Sequence, residues 1–301
     1  MTGTYTFELN TSLGTVSSLL AKRLAKSAGH LGQEDILTKI NQNHQVAIVT
    51  GATGKIGQAI ARQLADQGFE VTLAVRNEAK AKNTVRDIIQ GTGNSRVRYE
   101  LVDLSRRASI QALAERWQRP LHVLVNNAGV TPRSRQETPD GIELQFATNV
   151  LGYLWLIEAF TEVLKKSAPA RVVNVASYWA GDLDLNDLEF KRRRYNNNEA
   201  YRQSKQANRM LTVALAEKLK PFGITVNACH PGDVNSTLSN NLGFGGHDSP
   251  DEGARTPVWL ATNQVGQQET GQYFEHRQAV RDRFAENKEA IETLYRACLR
   301  Y

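Results

Sequence analysis

Residues 45–64, Gln45-Val-Ala-Ile-Val-Thr50-Gly51-Ala-Thr53-Gly54-Lys55-Ile56-Gly57-Gln-Ala-Ile-Ala-Arg-Gln-Leu64, decide the fold. The apolar run from 45 to 50 has the length and the Val and Ile content of a buried strand. Glycines follow at 51, 54 and 57, and from Ile56 to Leu64 the apolar residues recur at helical spacing. Strand, tight turn and helix therefore succeed one another. Glycine lets such a turn bring its backbone close to a ligand, while the free N–H groups and positive dipole end of the helix receive an anion such as a pyrophosphate.

The rest of the chain continues that alternation. Strands are expected near 45–50, 70–75, 97–102, 121–126, 171–176, 223–229 and 271–274, with helical patterns between them. This predicts an α/β protein: a single Rossmann-fold domain with a doubly wound, seven-stranded parallel sheet and functional residues at the strand C-termini. Tyr201 and Lys205 stand at i and i+4 in the helical stretch from Glu199 to Leu219, so they project from one face. A free phenol titrates near about 10, and a nearby ammonium favours its ionised form, so Lys205 is expected to bring Tyr201 into acid/base range. Alone, such a pair is more often two unrelated surface side chains than a catalytic couple.

A chain of 301 residues with 41% hydrophobic content can bury one large core. We assign that domain to residues 45–301 and an N-terminal helical extension to residues 1–44. In the extension Leu13, Val16, Leu20 and Leu24 share a helical face beside Lys22, Arg23 and Lys26. Two readings stand equally: a targeting or membrane-surface helix, and a helix that packs on the domain or pairs subunits into a homodimer. Its longest apolar run, Leu19-Leu20-Ala21, is far short of a secretory or membrane-spanning segment. Cys229 and Cys298 offer neither a disulfide framework nor metal-ligand spacing, so a cytoplasmic protein without a metal is expected. Asp182-Leu-Asp-Leu-Asn-Asp187 begins like a calcium loop but has Asp187 where glycine is needed and Arg193 where glutamate is needed. Lys191-Arg-Arg-Arg194, in a chain of net charge +6, invites a nucleic-acid reading. One charge run in a loop is ordinarily a solvated surface, so no nucleic-acid partner is expected and an anionic substrate or carrier is the better rival.

Taken together, Thr50 to Gly57, Val125-Asn-Asn127-Ala128-Gly129, Asn149 with Gly152 three positions on, Ser177 after Arg171-Val-Val-Asn-Val-Ala, Tyr201-Arg-Gln-Ser-Lys205 and His230-Pro231-Gly232 resemble the short-chain dehydrogenase/reductase family. The resemblance runs from about Gln45 to the C-terminus. The wording at 73–77 and 200–208 is most similar to the retinol-dehydrogenase-like branch. It implies a nicotinamide cofactor and a small-molecule substrate. The implied catalytic quartet is Ser177 holding a carbonyl oxygen, Tyr201 donating a proton, Lys205 holding the nicotinamide ribose and lowering the Tyr201 pKa, and Asn149 holding a water that links Lys205 to solvent. The implied cofactor contacts begin with Gly51, Thr53, Gly54, Lys55, Ile56 and Gly57 at the pyrophosphate. They continue with Asp103 and Leu104 near the adenine and Asn127, Ala128 and Gly129 along the nucleotide. Pro231, Gly232, Val234 and Ser236 complete the set, Ser236 replacing a more usual threonine at the carboxamide, and Tyr201 and Lys205 touch the cofactor too.

Two positions depart from the family pattern. Most members with this Tyr and Lys arrangement carry glycine where Lys55 stands and another residue where Gly54 stands. The resulting spacing resembles the larger extended members, but the stretch after Thr237 is too short for their substrate domain, so the smaller reductase form is expected. The second strand runs into Arg76 and Asn77 with no acid at its tip. An acid there would bind the free ribose hydroxyls of NAD and repel a 2′-phosphate, so Arg76, with Lys55 opposite, predicts NADP(H). The segments 178–200 and 236–255 are expected to wall the substrate site, the latter glycine-rich like a mobile lid. Trp179, Leu238, Leu242 and Phe244 point to an apolar pocket. The expected function is NADPH-dependent hydride transfer to a ketone or aldehyde of a lipophilic or ring-bearing molecule. Reduction of a carbon-carbon double bond and a non-catalytic NADP(H)-sensing protein are the alternatives, and the intact quartet argues against the second.

Overall fold

A computed structural model describes residues 45–301. The readings made for residues 1–44 lie outside the described residues. All five residues of β1 (Val46–Thr50) are buried, and they divide between two cores: Val46 and Ile48 face one, Ala47 and Val49 the other. A strand covered on both sides needs apolar residues at every position, which is why Val-Ala-Ile-Val reads as continuous rather than alternating.

The first half continues with α1 (Lys55–Asp66), β2 (Glu70–Val75), α2 (Glu78–Thr92), β3 (Val97–Leu101), α3 (Arg107–Glu115) and β4 (Val123–Asn126). A π-helical turn (Phe146–Leu151) leads into α4 (Gly152–Lys166), followed by β5 (Ala170–Val175), α5 (Asn197–Leu219) and β6 (Ile224–Cys229). Then come α6 (Thr237–Leu242), α7 (Pro250–Thr262), α8 (Gln264–Gln268), β7 (Tyr273–Glu275), β8 (Gln278–Val280) and α9 (Lys288–Cys298). Phe160, Leu164, Met210, Leu215 and Leu294 bring α4, α5 and α9 into one core, and Ile60, Leu64, Ile88, Val258 and Leu260 bring α1, α2 and α7 into the other. Helices on both faces make the sheet doubly wound.

The strand order is β3-β2-β1-β4-β5-β6-β7-β8, with β8 antiparallel to β7. The expected seven parallel strands are present, and the eighth corrects the count. It forms because His276 and Arg277 take positive φ values of 49° and 64°, the geometry of a tight hairpin turn. Without a glycine or asparagine there, the sequence carries no signal for that turn.

From β1 the chain moves outward to β2 and β3, then returns to β4 on the other flank of β1. A crevice opens where the order reverses, at the C-terminal ends of β1 and β4. Thr50 fixes its floor: Oγ1 accepts the N–H groups of Asn127 and Ala128 at 2.8 and 3.0 Å, and its carbonyl accepts Asn127 Nδ2 at 2.9 Å. A buried ladder holds the next strands together, Asn126 Nδ2 donating to Asn174 Oδ1 and Asn174 Nδ2 to Thr212 Oγ1, both at 2.9 Å.

The aspartate run and the basic run of segment 178–200 form one loop. The buried Asp187 carboxylate accepts the backbone N–H groups of Lys191 at 2.7 Å and Arg193 at 3.0 Å, and the Arg193 guanidinium pairs with it at 3.2 Å. Asn196 then caps α5 by accepting the N–H groups of Asn198 and Glu199, aiming that helix at the end of β5.

Candidate active site

A cleft of about 660 Å³ occupies the crevice. Gly51 sits at φ +63°, and a Cβ on it would lie 2.7 Å from Ala128 Cα. A Cβ on Gly57 would meet Gly51 O at 2.5 Å and Asn127 Nδ2 at 2.6 Å. Both positions require glycine. Gly54 is the N-cap of α1 and makes no side-chain cap, so the first-turn N–H groups of α1 are left to the cleft that Thr53, Lys55 and Ile56 line. These features fit a pyrophosphate.

One rim of the cleft is cationic. Lys55, Arg76 and Lys80 line it, all exposed, and none of these side chains has an acid or hydrogen-bond partner among the described residues. Nearby Arg62 and Arg98, in contrast, are paired with Asp251 and Glu70. Lys80 was missed in the sequence, where it reads as one more surface lysine of α2; its signal was its place one turn beyond Arg76. The opposite wall is Leu104, Asn127, Ala128, Gly129 and Val130, and Ser236, Thr237 and Leu238 line the cleft from the start of α6.

Several expected contacts do not reach this surface. Asp103 points its carboxylate at Ser105, accepting the backbone N–H at 3.0 Å and Oγ at 2.7 Å, and so shapes the turn that presents Leu104. Pro231 and Val234 pack toward Gly253 at the start of α7, where a Cβ would meet Val234 Cγ2 at 2.4 Å, and Gly232 faces Asp248. Ser236 lines the cleft, but its Oγ accepts the Ser239 N–H at 3.1 Å as the cap of α6. Thr237 is the other hydroxyl residue at that rim.

Ser177, two residues after β5, accepts the Trp179 N–H at 3.1 Å and lies close enough to Tyr201 of α5 for its hydroxyl to favour the ionised phenol. Burial pushes the Tyr201 phenol up to about 12; the nearby Ser177 hydroxyl opposes this and the negative charge of Asp233 reinforces it. Lys205 is 3% exposed, its Nζ donating to the Val175 carbonyl at 2.8 Å and standing 5.7 Å from the Tyr201 ring. Burial lowers its pKa to about 7. The expectation that Lys205 lowers the Tyr201 pKa is corrected: removal from water dominates for both groups and moves them oppositely. Tyr201 therefore holds its proton at neutral pH, and neither it nor Lys205 lines the cleft surface.

Asn149 lies in the π-helical turn, a local distortion that marks functional positions. Its Oδ1 accepts the Val130 N–H at 2.8 Å and its Nδ2 donates to the Val130 carbonyl at 3.0 Å. That side chain pins the loop after β4 instead of facing Lys205. Gly152 allows close passage, since a Cβ there would meet Leu104 O at 2.6 Å. Tyr153, missed in the sequence, donates to the Ala128 carbonyl at 2.8 Å with its ring 5.5 Å from Lys205 Nζ, joining the cleft wall to the buried amine. Its spacing of four from Asn149 was the available signal.

A second cavity, about 370 Å³, is lined by Ser177, Tyr178, Trp179, Asp233, Phe244 and His247. Trp179 and Phe244 meet edge to face at 4.9 Å. The four expected apolar residues separate: Trp179 and Phe244 line this cavity, Leu238 lines the cleft, and Leu242 is buried. The glycine-rich segment is packed onto its neighbours, since a Cβ on Gly246 would meet Asp233 O at 2.5 Å. Among the described residues no group of three or more His, Cys, Asp or Glu could hold a metal ion, and no helix is long and apolar enough to cross a membrane.

The sequence profile of the short chain dehydrogenase family matches residues 45–243. The chain is 36% identical to mouse retinol dehydrogenase 12 over 274 residues, covering 86% of each protein. A solved structure of an uncharacterised protein from Mycobacterium paratuberculosis is similar with a TM-score of 0.72 at 29% identity, over 85% of this chain and 92% of that one. The actinorhodin polyketide ketoreductase solved with NADPH is similar at 25% identity and a TM-score of 0.60, over 77% of this chain and 95% of that one. This chain belongs to the short-chain dehydrogenase/reductase family, in its retinol-dehydrogenase-like branch, and is an oxidoreductase that works with a nicotinamide cofactor on a small molecule.

Proposed function

We propose that this short-chain dehydrogenase reduces the carbonyl group of a ring-bearing or lipophilic ketone or aldehyde with NADPH, with Tyr201 as the proton donor. The observation that carries the proposal is the approach of Ser177 to Tyr201 beyond the end of β5, beside an aromatic-walled cavity and backed by the buried Lys205. When bound, the cofactor supplies hydride to the carbonyl carbon.

The residues of the chain do the rest. The uncapped start of α1, from Gly54 to Gly57, takes the pyrophosphate, and Lys55, Arg76 and Lys80 take a 2′-phosphate. Ser177 holds the carbonyl oxygen, and Tyr201, protonated at neutral pH, passes its proton to that oxygen as charge develops. Lys205, lowered to about 7 by burial, can give or take a proton behind Tyr201 near neutral pH. Asn149 holds the Val130 loop in place.

The proposal is tested by a cofactor-oxidation screen over ring-bearing ketones, aldehydes and enones. Consumption of NADPH with ketones or aldehydes, and formation of the alcohol, is expected. Turnover of enones alone, with the carbonyl intact, would move the reaction to the carbon-carbon double bond. NADPH binding without turnover across the panel would favour the sensing protein.

A further inference from the structure

We infer that the cavity at Ser177 selects carbonyl substrates that carry a cationic amine, and that Asp233 is the residue that reads the charge. The inference rests on the carbonyl-reductase reading and names the substrate class of that same site. Although the chain carries a net charge of +6, no lysine or arginine among the described residues lines this cavity. Its walls are Tyr178, Trp179 and Phe244, and Asp233 is the carboxylate among them.

Asp233 is placed to act on a ligand. Its side chain is 30% exposed, accessible yet partly withdrawn from water. The Tyr178 hydroxyl donates to Asp233 Oδ2 at 3.3 Å, and His230 Nε2 lies 3.9 Å from Oδ1. His230 brings no charge at neutral pH, because burial pushes it down to about 4. Two further carboxylates, Asp248 and Glu275, add negative potential. Asp248 accepts the Asp233 backbone N–H at 2.7 Å, with the exposed His247 3.7 Å from its other oxygen. Glu275 adds negative charge near both Tyr178 and His230, while His276 acts on His230 in the opposite sense. A cavity with aromatic walls and an unneutralised carboxylate draws cations, through the ring quadrupoles and the summed field. The cofactor cleft has the opposite character, with Lys55, Arg76 and Lys80 at its rim. Each cavity therefore attracts the charge that the other repels.

The test uses two aryl ketones identical except that one carries a dimethylaminoethyl side chain, an alkyl amine protonated at neutral pH, where the other carries the isosteric 3-methylbutyl side chain. With the full chain and saturating NADPH, kcat/KM should favour the protonated amine about 10-fold. Added salt should reduce the ratio, Asp233→Asn should bring it near one, and Glu115→Gln, an exposed acid on α3, should leave it unchanged. A ratio at or below one while both ketones are reduced would overturn the inference and leave carbonyl reduction intact. If neither ketone is reduced, calorimetric binding of the two compounds to the NADPH complex decides: tighter binding of the amine, lost in Asp233→Asn, sustains the selection, and equal or weaker binding overturns it.

Discussion

Burial acts in opposite directions on the two side chains at the centre of the site. Tyr201 is pushed up to about 12 and Lys205 down to about 7, so at neutral pH the phenol keeps its proton while the amine titrates. Tyr201→Phe retains the ring and deletes the donor, so kcat should fall about 100-fold or more while the dissociation constant for NADPH, read by fluorescence titration, changes little. A kcat near that of the unmodified protein would remove Tyr201 from the chemistry. For Lys205, the unfolded chain, with a pKa near 10.5, binds more protons than the folded one between about pH 7 and that value. Stability from this group therefore rises with pH across that window. The Tm of the cofactor-free protein should climb from pH 7 to 9, and Lys205→Met should flatten that slope; an unchanged slope in the variant would contradict a buried, uncharged amine. What could be read at this scale was residue type and spacing. Which bond each side chain makes could not be read. Asp103 is taken by Ser105 and Ser236 by Ser239, neighbours in sequence that compete with a ligand for the same oxygen, whereas Asn149 is taken by Val130, which only the folded chain brings near.

At the scale of elements, the first turn of the chain was legible because its constraints are local. Strand β1 is buried on both faces and reads as unbroken apolar residues, and Gly51 and Gly57 stand where a Cβ has no room. Gly57→Ala should weaken NADPH binding more than 10-fold by calorimetry, because its Cβ would come within 2.6 Å of Asn127 Nδ2, a group tied to the floor of the crevice. Gly54→Ala should be much milder, since its φ is −89° and its nearest contact would be 3.3 Å. Equal losses in the two variants would contradict this distinction. The hairpin at His276 and Arg277 was not legible, because its positive φ values fall on residues that carry no turn signal. Nor was the single loop formed by the Asp182–Asp187 and Lys191–Arg194 runs, each of which mimics a different binding motif when taken alone.

Across the described domain, charge is distributed by cavity rather than evenly. Among the described residues, three cations without an acid partner, Lys55, Arg76 and Lys80, line the nucleotide cleft, and a carboxylate lines the neighbouring cavity. Charge-assisted contacts of roughly 1.5–3 kcal/mol imply a preference for NADPH over NADH of about 10- to 100-fold in kcat/KM. Arg76→Asp should reverse it, and equal values in the unmodified protein would contradict the assigned role of the rim. The carbonyl-reductase reading is tested most directly by following deuterium from NADPH labelled at its hydride-donating carbon into the product of the best ketone or aldehyde found in the screen. Mass spectrometry and NMR should place one deuterium on the carbinol carbon of the alcohol. Deuterium on a carbon of a saturated double bond, with the carbonyl retained, or a product free of label, would contradict it.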